Sequence, residues 1–396
     1  MLNRRQLLMS TGALALAGPA LAQPKTELGV LLDRFFEEAL DESPELATSL
    51  GFDKGPRAAA KSRLSDASIA GAEKRKRDNA DQLRRLRAID RTKLTGMAAV
   101  NYDSVMFGLE TSDAFNRDID YGYEGGGQPY IISQLTGSYQ EAPDFLGSQH
   151  VIETKADADA YLARLEAFAR VMDQETERTR RDVGLGVIPP DFVLAKALVQ
   201  MQGLQTDPAA SPLVTQLDAK VKDKGIAGDY AGQAARIYAD KVSPALGRQM
   251  ALLKSLQAKA VHDAGVWRLP EGEEYYRHAL VRWTTTKLSP DEIHQMGLEQ
   301  ARELSARADV LLKGQGLTQG GVGQRIRALY DDPKHRYPNT DAAKVQLIAD
   351  LNKQVEAMSK RLPQMFGVLP KAPLEIKRVP PFIEAGAPGG YYNVPT

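Results

Sequence analysis

Apolar side chains recur along most of this chain at the three- and four-residue spacing of a single helix face. Leu28, Leu31, Leu32, Phe35, Phe36 and Ala39 make the first stripe, and Ser43-Pro44 then predicts an N-cap with proline in the first turn of a second helix. Tyr161, Leu165, Phe168 and Met172 make another stripe, which Gly184 ends and Pro189-Pro190 follows with a new start. Ser289-Pro290-Asp291-Glu292 reads as a capping box, in which the serine oxygen accepts an end amide while the glutamate reaches back to the cap. The same reading predicts helices near 95–115, 156–182, 191–202, 230–260, 274–285, 290–313 and 341–361. Gly122 to Gly127 and Gly314 to Gly323 read as glycine-rich loops.

The period changes near the end. Leu374-Glu375-Ile376-Lys377-Arg378-Val379 alternates apolar and charged residues, the pattern of a strand, and prolines and glycines follow it. A strand needs neighbours to pair its amides and carbonyls, and none is patterned before Thr396. The expected fold is therefore mainly α, an elongated multi-helix domain with the start of a small β element near the C-terminus, and the sequence is expected to stop inside a domain.

One apolar run belongs to no fold. Arg4-Arg5 precede an alanine-rich stretch from Leu7 to Leu21, and Ala20-Leu21-Ala22 offers the small residues a signal peptidase needs. The run is too short to span a bilayer as a stable helix. The paired arginines are similar to a twin-arginine export signal, with Asn3 in place of its usual Ser or Thr and Leu7 in place of its Phe; an ordinary secretory signal is the other reading. Residues 1–22 are thus expected to be removed, leaving a soluble periplasmic protein that starts near Gln23 and has no integral membrane segment.

Composition narrows the chemistry. The 51 basic side chains fall to 49 once Arg4 and Arg5 are removed, against 51 acidic ones, so no general attraction to nucleic acid or anionic lipid is expected. The basic run from Lys74 to Arg87 reads as a solvated helix face. Without cysteine there is no disulfide, thiolate metal site or cysteine nucleophile. None of the five histidines, His150, His262, His278, His294 and His335, begins a His-Glu-x-x-His pair, and His294 has Gly297 and Leu298 at its next-turn positions. No complete metal site, nucleophile elbow, dinucleotide fingerprint or phosphate cradle is present. Carboxylates such as Glu271, Glu273, Glu274 and Asp331-Asp332 read as solvated charge.

The most distinctive stretch runs from Trp267-Arg268-Leu269-Pro270 through Tyr275-Tyr276-Arg277-His278 to Trp283-Thr284-Thr285-Thr286-Lys287-Leu288-Ser289-Pro290-Asp291-Glu292-Ile293-His294 and Gly297, and holds both tryptophans. From residue chemistry it is a packed helix-turn-helix whose aromatics fill the core. It also resembles bacterial domain-of-unknown-function family 885, whose members are regarded as zinc metallopeptidases of the helical gluzincin type. The Tyr275-Tyr276 helix, the Thr284–Gly297 run and Asp332-Pro333 before Thr340 carry the resemblance. Pro44 to Gly51, Asn101-Tyr102-Asp103, Gly186 to Pro190 and Val379 to Tyr392 add weaker matches.

The resemblance implies a peptide substrate and a zinc-bound water deprotonated by glutamate. In the family the ligands come from a helix bearing a His-Glu pair, a following Pro-Gly-His-His and a later acidic residue. All of these would lie after Thr396, so no catalytic or metal residue is expected here and the chain alone is expected to bind no zinc. It implies that Tyr391 and Tyr392 border the active-site cleft as substrate-binding residues, packing being their other reading. Residues 23–396 then read as an incomplete metallopeptidase-like domain, one wall of a peptide cleft. The alternatives are a non-catalytic periplasmic peptide-binding or scaffold protein, and an unrelated helical binding protein.

Overall fold

A computed structural model describes residues 26–379 together with Gly390 and Tyr392. The apolar stripes become fourteen α-helices among these residues, and the chain divides into two units at Trp283/Thr284. In the first unit, α1 (Glu27–Glu42) is capped by Thr26, whose hydroxyl accepts from the Gly29 amide at 3.1 Å, and α2 (Pro44–Ser49) by Ser43, as the sequence predicts. There follow α3 (Ile69–Arg87), α4 (Gly96–Asp118), α5 (Ser138–Ser148), α6 (Lys155–Gly184), α7 (Asp191–Leu204), α8 (Pro212–Asp223), α9 (Tyr230–Ile237), α10 (Ser243–Leu256) and α11 (Gly272–Thr284). Tyr238–Val242 joins α9 to α10 as one wide turn. It falls where Pro244 has no amide to offer the Asp240 carbonyl.

The thirty-residue α6 is the axis of this unit. Its Tyr161, Leu165, Phe168 and Met172 are all buried, packed with Leu194, Ala197 and Met201 of α7, Leu213 and Leu217 of α8, and Leu246 and Leu253 of α10. A second core joins Leu28 and Phe35 of α1, Leu83 and Leu86 of α3, and Tyr102 and Leu109 of α4. The basic residues of α3 do not form a bare solvated face. Lys74 pairs with Glu42 at 2.6 Å and Arg85 with Glu38 at 2.7 Å, tying α3 to α1, while Arg75 lies 3.3 Å from buried Glu124. Ion pairs across a helix contact place charge on the side where periodicity alone leaves it in water.

The second unit holds α12 (Pro290–Gly314), α13 (Val322–Asp331) and α14 (Asp341–Ser359). The Ser289–Glu292 capping box forms as predicted, with the serine hydroxyl accepting from the Glu292 amide at 3.2 Å and the Glu292 carboxylate accepting from the Ser289 amide at 2.8 Å. Arg325 of α13 pairs with Asp309 of α12 and donates to the Leu317 carbonyl. Among the described residues from Thr284 to Val379, only Leu312 and Arg325 are buried.

The expected β element is not there. Residues 374–379 form no ladder, and the described residues contain no strand, only an isolated bridge between Ser133 and Thr136. The Ile376 amide instead donates to the Asn352 side chain at 3.4 Å, and Arg378 pairs with Asp341 at 2.8 Å, both on α14. An alternating segment becomes a strand only where another backbone pairs with it. No helix among the described residues is long and apolar enough to cross a membrane.

Candidate functional site

The stretch singled out by its aromatics folds as α11 and the turn before it. Gly272 opens the helix so close to the Val266–Arg268 turn that a Cβ there would lie 2.1 Å from the Val266 carbonyl oxygen, and the preceding Glu271 takes a positive φ of 48°. From this start the helix turns Tyr275, His278 and Arg282 inward, at three- and four-residue spacing. Tyr275 stacks on Tyr121 with ring centres 5.9 Å apart and meets Phe115 edge-on at 5.2 Å, in a core that joins the end of α4 to α11. The tryptophans do not fill this core: Trp267 is 72% and Trp283 52% exposed. Trp283 and half-exposed Tyr276 lie seven residues apart, on an exposed face of α11 beside the one that carries Tyr275 and His278.

Beside this core, His278 gathers two carboxylates. Its ring is only 7% exposed; Nε2 lies 2.7 Å from Asp118 Oδ2 at the end of α4 and 3.3 Å from Glu274 Oε1, one turn back on α11. Arg277 closes the group, its Nε donating to Glu274 Oε2 at 2.9 Å and an Nη lying 3.4 Å from His278 Nε2. The short contact to Asp118 assigns the Nε2 proton as a donor to that carboxylate. The Arg277 guanidinium holds Glu274 below the usual carboxylate range. A search for pairs that begin with histidine passes over this cluster, although Glu274 stands at ligand spacing four residues before His278; Asp118 is 160 residues earlier and has no sequence signal.

Asp118, Glu274 and His278 offer ligand atoms within 4.8 Å of one another, so they test whether this chain fits the zinc its family resemblance implies. Bonds of about 2.0–2.2 Å set two ligands on a tetrahedral zinc roughly 3.3–3.5 Å apart. The 3.3 Å between Glu274 and His278 meets this, but the 2.7 Å to Asp118 is a hydrogen bond, and a guanidinium already neutralises Glu274. The three residues hold a proton and an arginine, and they do not fit zinc.

The adjoining Gly122–Gly127 loop is held from several sides. The Gly122 amide donates to Asp182 at 3.0 Å, Arg178 donates to the Gly122 carbonyl at 2.9 Å and to Glu124 at 2.7 Å, and Arg282 donates to the Gly125 carbonyl. Burial alone would raise the Glu124 carboxyl, but Arg178 and Arg75 overcome it and leave it lowered. A cavity of about 20 Å³ under the loop, between Lys76, Phe115 and Arg181, has room for a single water. This is a structural clamp, too closed to admit a substrate. Of the residues the sequence nominates, Arg4, Arg5, Ala20, Ala22 and Tyr391 lie outside the described residues, and Tyr392 is exposed.

The fold is similar to a crystal structure of a candidate lipoprotein from Colwellia psychrerythraea, with a TM-score of 0.82 and 22% identity over 94% of this chain. This chain spans 66% of the length of that protein. Curated proteins give no match. A family model described as "Bacterial protein of unknown function (DUF885)" matches residues 44–396, which takes in both units with α11 and its cluster, and the chain belongs to that family.

Proposed function

We propose that this chain is the helical, peptide-contacting portion of an exported metallopeptidase-like protein, and that it supplies a wall of the cleft but not the hydrolytic groups. The observation that carries this reading is the apolar surface of the second unit. Met296, Leu304, Val310, Leu311, Ile326, Tyr330 and Val345 are exposed there, while Leu312 and Arg325 alone are buried among its described residues. Each such side chain forgoes about 1.5–3 kcal/mol of burial, and we read this many on a unit with almost no core as positions that take a partner or a ligand. An extended peptide can present side chains to it. The resemblance to family 885 supports peptide as the substrate class, and Tyr392, which is exposed, is proposed as a substrate contact on that resemblance alone. Arg4-Arg5, the apolar run and Ala20-Leu21-Ala22 support export to the periplasm, in keeping with the lipoprotein description of the Colwellia protein.

A second reading is a non-catalytic peptide-binding protein. It needs only the exposed apolar side chains of the second unit and a peptide to lie against them. One experiment addresses both. Purified from the envelope fraction, with Gln23 as its first residue, the protein is titrated with peptides in a calorimeter. Cleavage is followed with and without a zinc chelator. Binding without turnover is the expected result. Chelator-sensitive cleavage would overturn the assignment of catalysis elsewhere, and failure to bind any peptide would overturn both readings.

A further inference from the structure

Between Glu356 and Glu375 the chain has no acidic residue, yet it carries the cations Lys360, Arg361 and Lys371. The stretch starts at the end of α14 and continues beyond it as an irregular loop. Leu362 opens a single turn, its carbonyl accepting from the Met365 amide at 3.0 Å and from the Phe366 amide at 2.9 Å. Pro363, Pro370 and Pro373 have no amide to donate, which keeps a longer helix from forming. Met365 is 79% exposed, Val368 57% and Phe366 55%, with Leu369 beside them at 36%. Apolar side chains are thus concentrated in water at one short turn.

The charges on either side of this turn are also without partners. Lys360, Arg361 and Lys371 are exposed, and none has an ion pair or a side-chain hydrogen bond among the described residues. The next cations along the chain are paired: Lys353 with Asp350 at 3.2 Å, Lys377 with Glu375 at 3.0 Å and Arg378 with Asp341 at 2.8 Å. Because the chain as a whole is neutral, the surplus is local to the apolar turn. We propose that residues 360–371 form a membrane-contact loop, which lays Met365, Phe366, Val368 and Leu369 into the interface of an anionic bilayer while Lys360, Arg361 and Lys371 meet its phosphates. An anionic leaflet supplies both halves at once, phosphate oxygens for the cations and the acyl boundary for the apolar side chains. The long stems of lysine and arginine let their heads stay at the phosphates as their neighbours sink deeper. A second copy of the chain would bring the same cations against these and be repelled. The contact is peripheral, since no helix among the described residues is long and apolar enough to cross, and a loop backbone at headgroup depth keeps its amides hydrated.

The test uses the protein with Gln23 as its first residue, so that Arg4-Arg5 and the apolar run after them are absent. It is sedimented with vesicles of mixed phosphatidylglycerol and phosphatidylcholine, and with vesicles of phosphatidylcholine alone. One variant combines Met365→Ser with Phe366→Ser; the other combines Lys360→Gln, Arg361→Gln and Lys371→Gln. All of these positions are exposed, so the replacements remove no buried contact, and circular dichroism checks the fold. The wild type should bind the mixed vesicles, release them as salt rises and leave the neutral ones unbound. A lysine or arginine near an anionic surface is worth roughly fivefold in partitioning, so the glutamine variant should bind roughly a hundredfold more weakly. The serine variant should lose binding, and exchange at residues 365–369 should slow only in the bound wild type. No binding to the mixed vesicles, equal binding to both kinds, or binding that both variants keep overturns the proposal. Self-association that the serine variant abolishes would assign the loop to a second copy, and binding of a polyglutamate peptide in place of vesicles would assign it to an acidic protein segment; either also overturns it.

Discussion

At the scale of single residues, the first unit rests on polar groups buried where no periodicity announces them. Arg164 is fully buried in α6 and donates to the carbonyls of Arg63 and Ala60 at 3.0 Å, to Thr48 at 2.6 Å and to His150 Nδ1 at 3.0 Å. Because arginine only donates, His150 must accept at Nδ1 and present its Nε2 proton to the Asp157 carbonyl, 2.9 Å away. Burial, followed by the charges of Arg164, Lys61 and Lys220, pushes His150 down to about 3. A histidine lowered in this way gives stability that is whole above its unfolded value of 6.5 and is lost as pH falls towards 3, several kcal/mol in all. His150→Gln should therefore lower stability at pH 7 yet flatten the acid limb between pH 6.5 and 4. Parallel acid limbs in the two proteins, measured by circular dichroism, would show that another group drives acid unfolding. The sequence shows His150 only as a histidine without a ligand; its partners stand 7 and 14 residues away, and no local rule links them.

At the scale of elements, what was legible was what the chain specifies locally. α6 and α12 have long apolar periods and caps within three residues, and they fold near the predicted bounds. α5 and α13 have no such signal, whereas α8 does, in Ser211-Pro212 ahead of Leu213, Val214, Leu217 and Val221. α5 takes its cap from Glu175, 37 residues on, and contains Pro143, whereas α13 is ten residues long and opens on glycine. The segment 374–379 fails in the opposite way, carrying a local strand pattern with no partner among the described residues. Glycines divide along the same line. Gly122 has a φ of +70°, and a Cβ there would lie 2.5 Å from the Gln128 carbonyl, so Gly122→Ala should cost about 2 kcal/mol and displace the loop that Arg178 holds. Gly108, inside α4 with open space around it, should gain about 0.5–1 kcal/mol as alanine. Denaturant midpoints moving in opposite directions check the pair, and equal shifts would mean that the loop relaxes at no cost.

At the scale of the whole molecule, the two units differ in what each buries. The first contains four apolar clusters, the largest reaching from Leu64 to Leu256, whereas the second buries Leu312 and Arg325 and leaves most of α14 open. Helices in water draw most of their stability from a packed face, because propensity alone barely sustains fewer than about 15 residues. α12 has its capping box, which is worth about 1 kcal/mol, and the Arg325–Asp309 pair to α13; α14 has the Thr340 cap and surface bonds from Tyr337, Ile376 and Arg378, but no buried side chain. Native-state hydrogen exchange should accordingly show α14 opening with far less free energy than α6, so that the second unit melts locally before the first unfolds. A peptide that occupies the apolar wall should raise the protection of α12 and α14 and leave α6 unchanged, because a ligand stabilises only the state that binds it. Equal protection of α14 and α6 in dilute, ligand-free protein would mean that the apolar face is already covered. Its dependence on protein concentration would then separate a second copy of the chain, which dilution removes, from a cover within the same chain, which it does not.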